Sequence, residues 1–111
     1  MTPEKKVQNK IILYLKELQK ENYKIFYERR QAGGFSYKKG ISDLYMIFNG
    51  KHIEIEVKSE TGKLSIMQEK WRDKCKSLNI SWICISSVSQ FIEFIKSLPE
   101  FTSDTPVNKT Y

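Results

Sequence analysis

The clearest pattern of hydrophobic and polar positions is an alternation between Ile41 and Ser59. Two runs in which every second residue is apolar are separated by Asn49 and Gly50. Both turn residues tolerate the positive φ of a two-residue turn, so the pattern predicts two antiparallel strands joined there. Because side chains alternate between the two faces of a strand, one face of this hairpin is expected to be apolar and the other charged.

The two-residue turn determines which residues face each other. Phe48 is expected opposite Lys51, which places Asp43 directly opposite Glu56. Facing Cβ atoms lie about 5 Å apart, and two like charges at that distance destabilise the pair unless something offsets their repulsion. A divalent cation bound by both carboxylates would do so, with Lys58 as a second positive group along the strand. The alternative is an ordinary hairpin whose outer face carries solvated charges of both signs.

Helices are predicted on both sides of the hairpin. Apolar residues recur at helical spacing between Pro3 and Lys20, and Thr2 is a suitable N-cap for this stretch. A second helix is expected after Ser65, because Ser65 and Gln68 have the spacing of a capping box. Each helix has an apolar face with which it can pack on the sheet.

Runs of β-type residues at 23–27 and 80–86 predict two further strands. The second run is reached from the hairpin through a helix, so it is expected to lie parallel to the neighbouring strand. A third helix then ends before Pro99. The predicted fold is α/β, a single domain over residues 1–98 with a mixed central sheet of about four strands flanked by helices, followed by a loose tail over residues 99–111.

Three short motifs carry a resemblance to a known family. They are Gly40 to Leu44, which contains Asp43; Ile55 to Ser59, which contains Glu56-Val57-Lys58; and Leu64 to Trp71. In this order and at this spacing they resemble the successive motifs of the VRR-NUC nucleases, a family of the PD-(D/E)XK superfamily with a restriction-endonuclease-like core. The similarity extends from about Glu4 to about Ser86. It implies a divalent-metal-dependent DNA endonuclease, a hydrolase that cuts phosphodiester bonds.

The resemblance implies a role for each residue of the central motif. Asp43 and Glu56 would bind Mg²⁺ or Mn²⁺ together with the backbone carbonyl of Val57. Lys58 would orient the attacking water or neutralise charge on the phosphate. These assignments follow from the family pattern, whereas the hairpin by itself predicts only the facing carboxylates.

Two further residues match the family pattern, and each has a structural alternative. Glu4 is the glutamate of the first helix that would join the metal site, or it only favours the helix dipole from the first turn. Gln68 would border the catalytic site, although its place in the capping box is also a full structural explanation.

Charge is distributed unevenly along the chain. The net charge is +6, from 19 basic and 13 acidic side chains, and residues 1–40 hold 10 basic and 4 acidic ones against 9 and 9 in the rest. Such an excess suits a polyanion partner, or is simply a solubilising surface. The stretch after the first predicted strand mixes basic, glycine and aromatic residues, which is typical of a phosphate-contacting loop. The candidate DNA-binding residues are Arg29, Arg30, Lys38 and Lys39.

Other features narrow the class of protein. Cys75 and Cys84 lie in apolar patterns and are interpreted as small core residues in a reducing compartment, without a disulfide. His52 is the single histidine, which argues against a His-built zinc site and a His-based triad. No apolar run approaches the length of a membrane span and no secretory signal is present, so we expect no membrane partner and a cytoplasmic location.

The resemblance to small stand-alone relatives, many of them phage proteins, extends these expectations. It implies selective cutting of branched or junction DNA in a bacterial or phage-infected cell. Because a domain of this size has one site and resolving a branch needs two, we expect a homodimer. Two alternatives from other classes stay open: a non-catalytic nucleic-acid-binding module with the same fold, and a subunit of a larger DNA-processing enzyme.

Overall fold

The computed structural model of the protein describes residues 1–30 and 40–103. In these ranges the helices and strands are, in order, α1 (Pro3–Lys20), β1 (Ile25–Arg29), β2 (Leu44–Phe48), β3 (Lys51–Val57), α2 (Ile66–Ser77), β4 (Ser81–Ile85), α3 (Val88–Ser97) and α4 (Pro99–Ser103). The strands form one sheet in the order β1-β2-β3-β4, antiparallel except for the parallel pair of β3 and β4. The predicted α/β class and the mixed four-stranded sheet are confirmed.

The hairpin of β2 and β3 has the predicted register. Phe48 pairs with Lys51 and Leu44 with Ile55. The turn between the strands has φ of 49° at Asn49 and 89° at Gly50, the left-handed region that a two-residue hairpin turn of this kind requires.

The first strand starts two residues later than its apolar run suggested. Asn22 adopts φ of 72°, and the backbone N–H of Tyr23 donates to the carbonyl of Leu18 at 3.1 Å. The chain therefore completes the C-terminal cap of α1 before it extends. Tyr23 is buried as part of this cap, and β1 begins at Ile25.

Helices α1 and α3 cover one face of the sheet. Ile11 of α1 and Phe91 of α3 are fully buried against hairpin residues such as Ile53 and Ile55. The ring of Tyr14 meets Phe91 edge to face, with ring centroids 6.1 Å apart. This is the apolar face that the alternation predicted, and its burial supplies the main driving force for folding.

Helix α2 covers the opposite face where it crosses β3. Glu54 and Glu56 point to this face and are only 1% and 2% exposed. Gln68 and Trp71 of α2 donate hydrogen bonds to them. Glu54 and Glu56 are therefore buried beneath a helix, so the alternative of a solvated outer face is wrong at these two positions.

The C-terminal part of the described chain differs from the prediction of a loose tail from residue 99. Pro99–Ser103 form the short helix α4, and the ring of Phe101 stacks on Tyr23 with centroids 5.1 Å apart. A proline that ends one helix is also well suited to the first turn of the next. Five residues are too few to show helical periodicity in the sequence.

The two cysteines differ in burial. Cys75 lies buried on α2, as predicted, but Cys84 of β4 is exposed. In the register of β3 and β4, Cys84 lies beside Glu56. Its side chain therefore faces the same side of the sheet, which α2 covers only in part. Within residues 1–30 and 40–103, no helix has the length and hydropathy that crossing a bilayer requires.

Candidate active site

The carboxylates of Asp43 and Glu56 meet at the open end of the hairpin. Asp43 lies directly before β2, and its Oδ2 accepts a hydrogen bond from the backbone N–H of Val57 at 3.1 Å. This bond holds the Asp43 side chain over the end of β3, where Glu56 is also located. The structure therefore brings together the two residues that the register placed opposite each other.

The environment of Glu56 opposes its ionisation. Burial, followed by the nearby charge of Asp43 and a hydrogen bond with it, raises the pKa of Glu56 from 4.5 to about 8, and Lys58 offsets only part of this rise. Two carboxylates at short distance in a low dielectric cannot both be charged without a compensating cation. In metal-free protein at neutral pH, Glu56 therefore holds a proton.

Gln68 caps helix α2 and also contacts the carboxylate pair. Its Oε1 accepts from the backbone N–H of Ser65 at 2.8 Å, and Ser65 Oγ accepts from the backbone N–H of Gln68 at 3.1 Å. This is the predicted capping box. At the same time Gln68 Nε2 donates to Glu56 Oε2 at 3.2 Å. One amide therefore starts helix α2 and orients a carboxylate of the site.

Glu4 and Lys58 lie at the same end of β3. Glu4 Oε2 accepts a hydrogen bond from the backbone N–H of Ser59 at 3.3 Å, which ties the start of α1 to the residue after Lys58. Lys58 is half-buried, and its charge acts on Glu56. However, no three side chains among His, Cys, Asp and Glu of residues 1–30 and 40–103 are grouped closely enough to hold a metal. Glu4 therefore does not form a three-carboxylate cluster with the pair.

The two arginines of the candidate DNA-binding set have partners inside the protein. Both terminal nitrogens of Arg30 bind the carboxylate of Glu54, at 2.6 and 2.9 Å, and its side chain is 18% exposed. Arg29 Nη2 donates to Asn9 Oδ1 at 2.5 Å. Lys38 and Lys39 lie outside the described residues. The structure thus gives Arg30 a role in internal pairing, which the sequence reasoning did not anticipate.

The sequence reasoning missed the buried carboxylate of Glu54. Besides Arg30, it is contacted by His52, whose Nε2 lies 2.6 Å from Oε2, and by the indole N–H of Trp71 at 3.2 Å. The signal that could have found it is the alternation itself, because Glu54 shares a strand face with Glu56. Its partner Arg30, directly after β1, could not be recognised without the packing of three strands.

Comparison with solved structures gives the fold a name. A structure described as a VRR_NUC domain superimposes on this chain with a TM-score of 0.72, covering 87% of this chain and 98% of that one. The chain has the fold of a VRR-NUC domain. The two sequences are 19% identical, so the VRR-NUC fold is what this likeness establishes. No family model and no curated protein matches the sequence.

The three motifs singled out in the sequence lie close together in the structure. The three motifs that resemble VRR-NUC nucleases lie on the segment before β2, on the end of β3 and on the first turns of α2. These segments are separated by short stretches of chain and meet at the carboxylates of Asp43 and Glu56. The three motifs that resemble VRR-NUC nucleases therefore meet at one place in the structure.

Proposed function

We propose that this protein is a divalent-metal-dependent DNA endonuclease that uses Mg²⁺ or Mn²⁺. The observation that carries the proposal is the pairing of Asp43 and Glu56, where burial and mutual repulsion raise the pKa of Glu56 to about 8. The positive charge of Lys58 offsets only part of this rise. The likeness of the fold to a VRR-NUC domain is the second support.

The residues of the site suit a hard divalent cation. Mg²⁺ prefers oxygen ligands and is usually bound through one or two carboxylates while it keeps several waters. Asp43 and Glu56 supply two carboxylates, and the backbone carbonyl of Val57 is a third candidate ligand. A cation here would also remove the electrostatic conflict that keeps Glu56 protonated. Two carboxylates therefore suffice for the proposed site, and Glu4 is not needed as a direct ligand.

Each side chain of the site has a defined task in this mechanism. When bound, a divalent cation lowers the pKa of a water and stabilises charge on the phosphate. Asp43 is held in place by the N–H of Val57, and Glu56 by the amide of Gln68. Lys58 brings an ammonium group to the same end of β3, where it would balance negative charge that develops on the phosphodiester. Glu4 steadies the backbone next to Lys58 through Ser59.

The decisive experiment is a cleavage assay with and without metal. Purified protein would be incubated with Mg²⁺ or Mn²⁺ and linear, flapped and four-way DNA, beside the variants Asp43→Asn, Glu56→Gln and Lys58→Ala. Each variant should lose cleavage while DNA binding stays within a few fold, because these side chains serve chemistry. Asp73→Asn on the exposed side of α2 is the matched control. Wild-type activity in any of the three variants would contradict the site assignment.

Substrate preference and assembly are further parts of the proposal. The described part of one chain presents one such carboxylate pair, whereas cutting both strands of a branch requires two, so we propose a homodimer that selects branched or junction DNA. A bacterial or phage-infected cell, with DNA in its cytoplasm, is the setting that fits such a protein. A monomer in light scattering, with and without four-way DNA, would contradict both the dimer and the branch preference.

A further inference from the structure

A cluster of hydrogen-bonded side chains around the buried Glu54 lies next to the carboxylate pair on the same face of β3. The oxygens of Glu54 are contacted by both terminal nitrogens of Arg30, by His52 Nε2 and by Trp71 Nε1. Burial alone would raise the pKa of Glu54, but the hydrogen bonds from Arg30 and His52 outweigh it and lower the pKa. Glu54 is therefore a charged carboxylate whose oxygens are already satisfied, which makes it unsuited to bind substrate or metal itself.

This cluster is connected to Asp43 through the neighbouring Ser42. The indole N–H of Trp71 lies 3.1 Å from Ser42 Oγ, and Arg30 Nη1 donates to the carbonyl of Ser42 at 3.2 Å. The backbone N–H of Arg30 donates to the carbonyl of Asp43 at 2.8 Å. Ser42 is itself only 1% exposed. The backbone that carries Asp43 is therefore held by Arg30 and Trp71, two of the three residues that contact Glu54.

The cluster is connected to Glu56 through helix α2. Trp71 and Gln68 are three residues apart and so lie on the same side of the helix. Trp71 contacts Glu54, and Gln68 contacts Glu56, the next residue on that face of β3. The bond between Trp71 and Glu54 therefore fixes how closely the first turns of α2 approach the sheet, and with it where the amide of Gln68 lies.

The first turn of α2 is also packed tightly against the segment that leads to Ser42. A Cβ at Gly40, where φ is 88°, would lie 2.5 Å from backbone atoms of Met67. The segment and the helix are thus in direct contact at Gly40 and Met67. About one turn further along the helix, the indole N–H of Trp71 donates a hydrogen bond to Ser42 of the same segment. Small changes at Trp71 should therefore reach both carboxylates of the site.

We propose that Glu54 and Trp71 are positioning residues for the reaction at Asp43 and Glu56. They act through Ser42 on one carboxylate and through Gln68 on the other, without touching the reacting atoms. This inference rests on the proposed function, because the reaction itself is part of that proposal. Residues that orient ligating side chains change metal affinity or activity by about 10- to 100-fold when they are replaced. Small misplacements of catalytic groups have effects of similar size.

The test uses Trp71→Phe, which keeps an aromatic ring but removes the indole N–H, and Glu54→Gln as a second variant. Trp82→Phe is the matched control, because Trp82 lies on β4 beside Glu54 and takes part in none of these contacts. The first readout is the pair of side-chain amide signals of Gln68 in a ¹H–¹⁵N spectrum of metal-free protein, identified by their loss in Gln68→Glu. The signals should move in Trp71→Phe and Glu54→Gln and stay in place in Trp82→Phe.

The second readout is steady-state cleavage of the best DNA substrate with Mn²⁺. In Trp71→Phe, kcat should fall about 10- to 100-fold while KM for DNA stays within about threefold. A purely structural role would instead lower the melting temperature and leave the kcat of the folded fraction unchanged. Trp82→Phe should keep the wild-type kcat.

The two readouts separate this inference from the proposed function. Unmoved Gln68 signals in Trp71→Phe would overturn the positioning role, whether or not kcat changes, and so would a wild-type kcat in an active enzyme. Absence of cleavage by the wild type under all metal conditions would refute the nuclease proposal. The Gln68 signals of metal-free protein would still decide whether Glu54 and Trp71 hold that amide.

Discussion

Replacing Glu56 by glutamine should make the metal-free protein more stable at pH 8. The pKa of Glu56 is about 8 in the folded protein and 4.5 as the ordinary value, so between these pH values the folded state holds a proton that the unfolded chain has lost. The contribution of Glu56 to the stability of the wild type is therefore fully present at low pH and is lost as the pH rises towards 8. Glu56→Gln keeps the size and neutrality of the protonated side chain but does not titrate.

The size of the effect follows from the width of this interval. One pKa unit corresponds to about 1.4 kcal/mol, and between pH 5 and pH 8 the wild type should lose about 2 to 4 kcal/mol through Glu56. For a domain of this length, that is a fall in melting temperature on the order of 10 °C relative to the variant. At pH 5 the two proteins should melt at similar temperatures, because Glu56 is then neutral in the folded state.

The assay is a set of thermal melts in chelator at pH 5, 6, 7 and 8. Wild type and Glu56→Gln would be compared with Glu60→Gln, a control at an exposed acidic position just beyond β3. At each pH, the melting temperature of the wild type is subtracted from that of the variant, so that contributions from other titrating groups cancel. Parallel pH profiles for wild type and Glu56→Gln would refute the reasoning, because burial and Asp43 would then not be raising the pKa of Glu56.

Four further predictions concern metal, DNA, the pairing of Arg30 with Glu54, and the helix cap. Millimolar Mn²⁺ should raise the melting temperature of the wild type by several degrees and leave that of Asp43→Asn almost unchanged; equal gains would show that the carboxylates do not share an ion. DNA affinity should fall with salt by roughly 0.9 log units per log unit for each phosphate contacted, and neutralising Lys38 and Lys39 should flatten that slope. Arg30→Gln should instead destabilise the fold by about 3–5 kcal/mol in denaturant titrations, since it leaves a buried carboxylate without its main partner. Gln68→Leu should reduce both cleavage and melting temperature, whereas Gln68→Glu, which preserves the cap, should reduce cleavage alone; a melting temperature lowered equally in both would contradict this division.

The hairpin was accessible from the sequence because its register depends on local chemistry alone. A two-residue turn at Asn49-Gly50 leaves one pairing, and that pairing already places Asp43 opposite Glu56. The capping box of α2 was accessible for the same reason, since Ser65 and Gln68 are three residues apart. Local patterns of this kind need no knowledge of the tertiary structure.

Other features depend on packing between distant segments. Arg30 and Glu54 are 24 residues apart, and their pairing requires that β1 and β3 flank β2 with the same face towards α2. A basic residue beside a glycine-containing stretch looks the same in sequence whether it binds a phosphate or a buried carboxylate. The hydrogen bond from Gln68 to Glu56 likewise could not be predicted before α2 was placed over β3.

Alternate residues of strand β3 are subject to two different kinds of selection. Ile53, Ile55 and Val57 face the apolar core, while Glu54 and Glu56 face the site. Mutations at the first set should be filtered by folding, and those at the second by activity, so the two properties can diverge independently among descendants of this chain. An insertion or deletion of one residue in the strand exchanges the two sets and abolishes both properties at once. We therefore expect substitutions within β3 to occur among descendants of this chain, but almost no insertions or deletions in this strand.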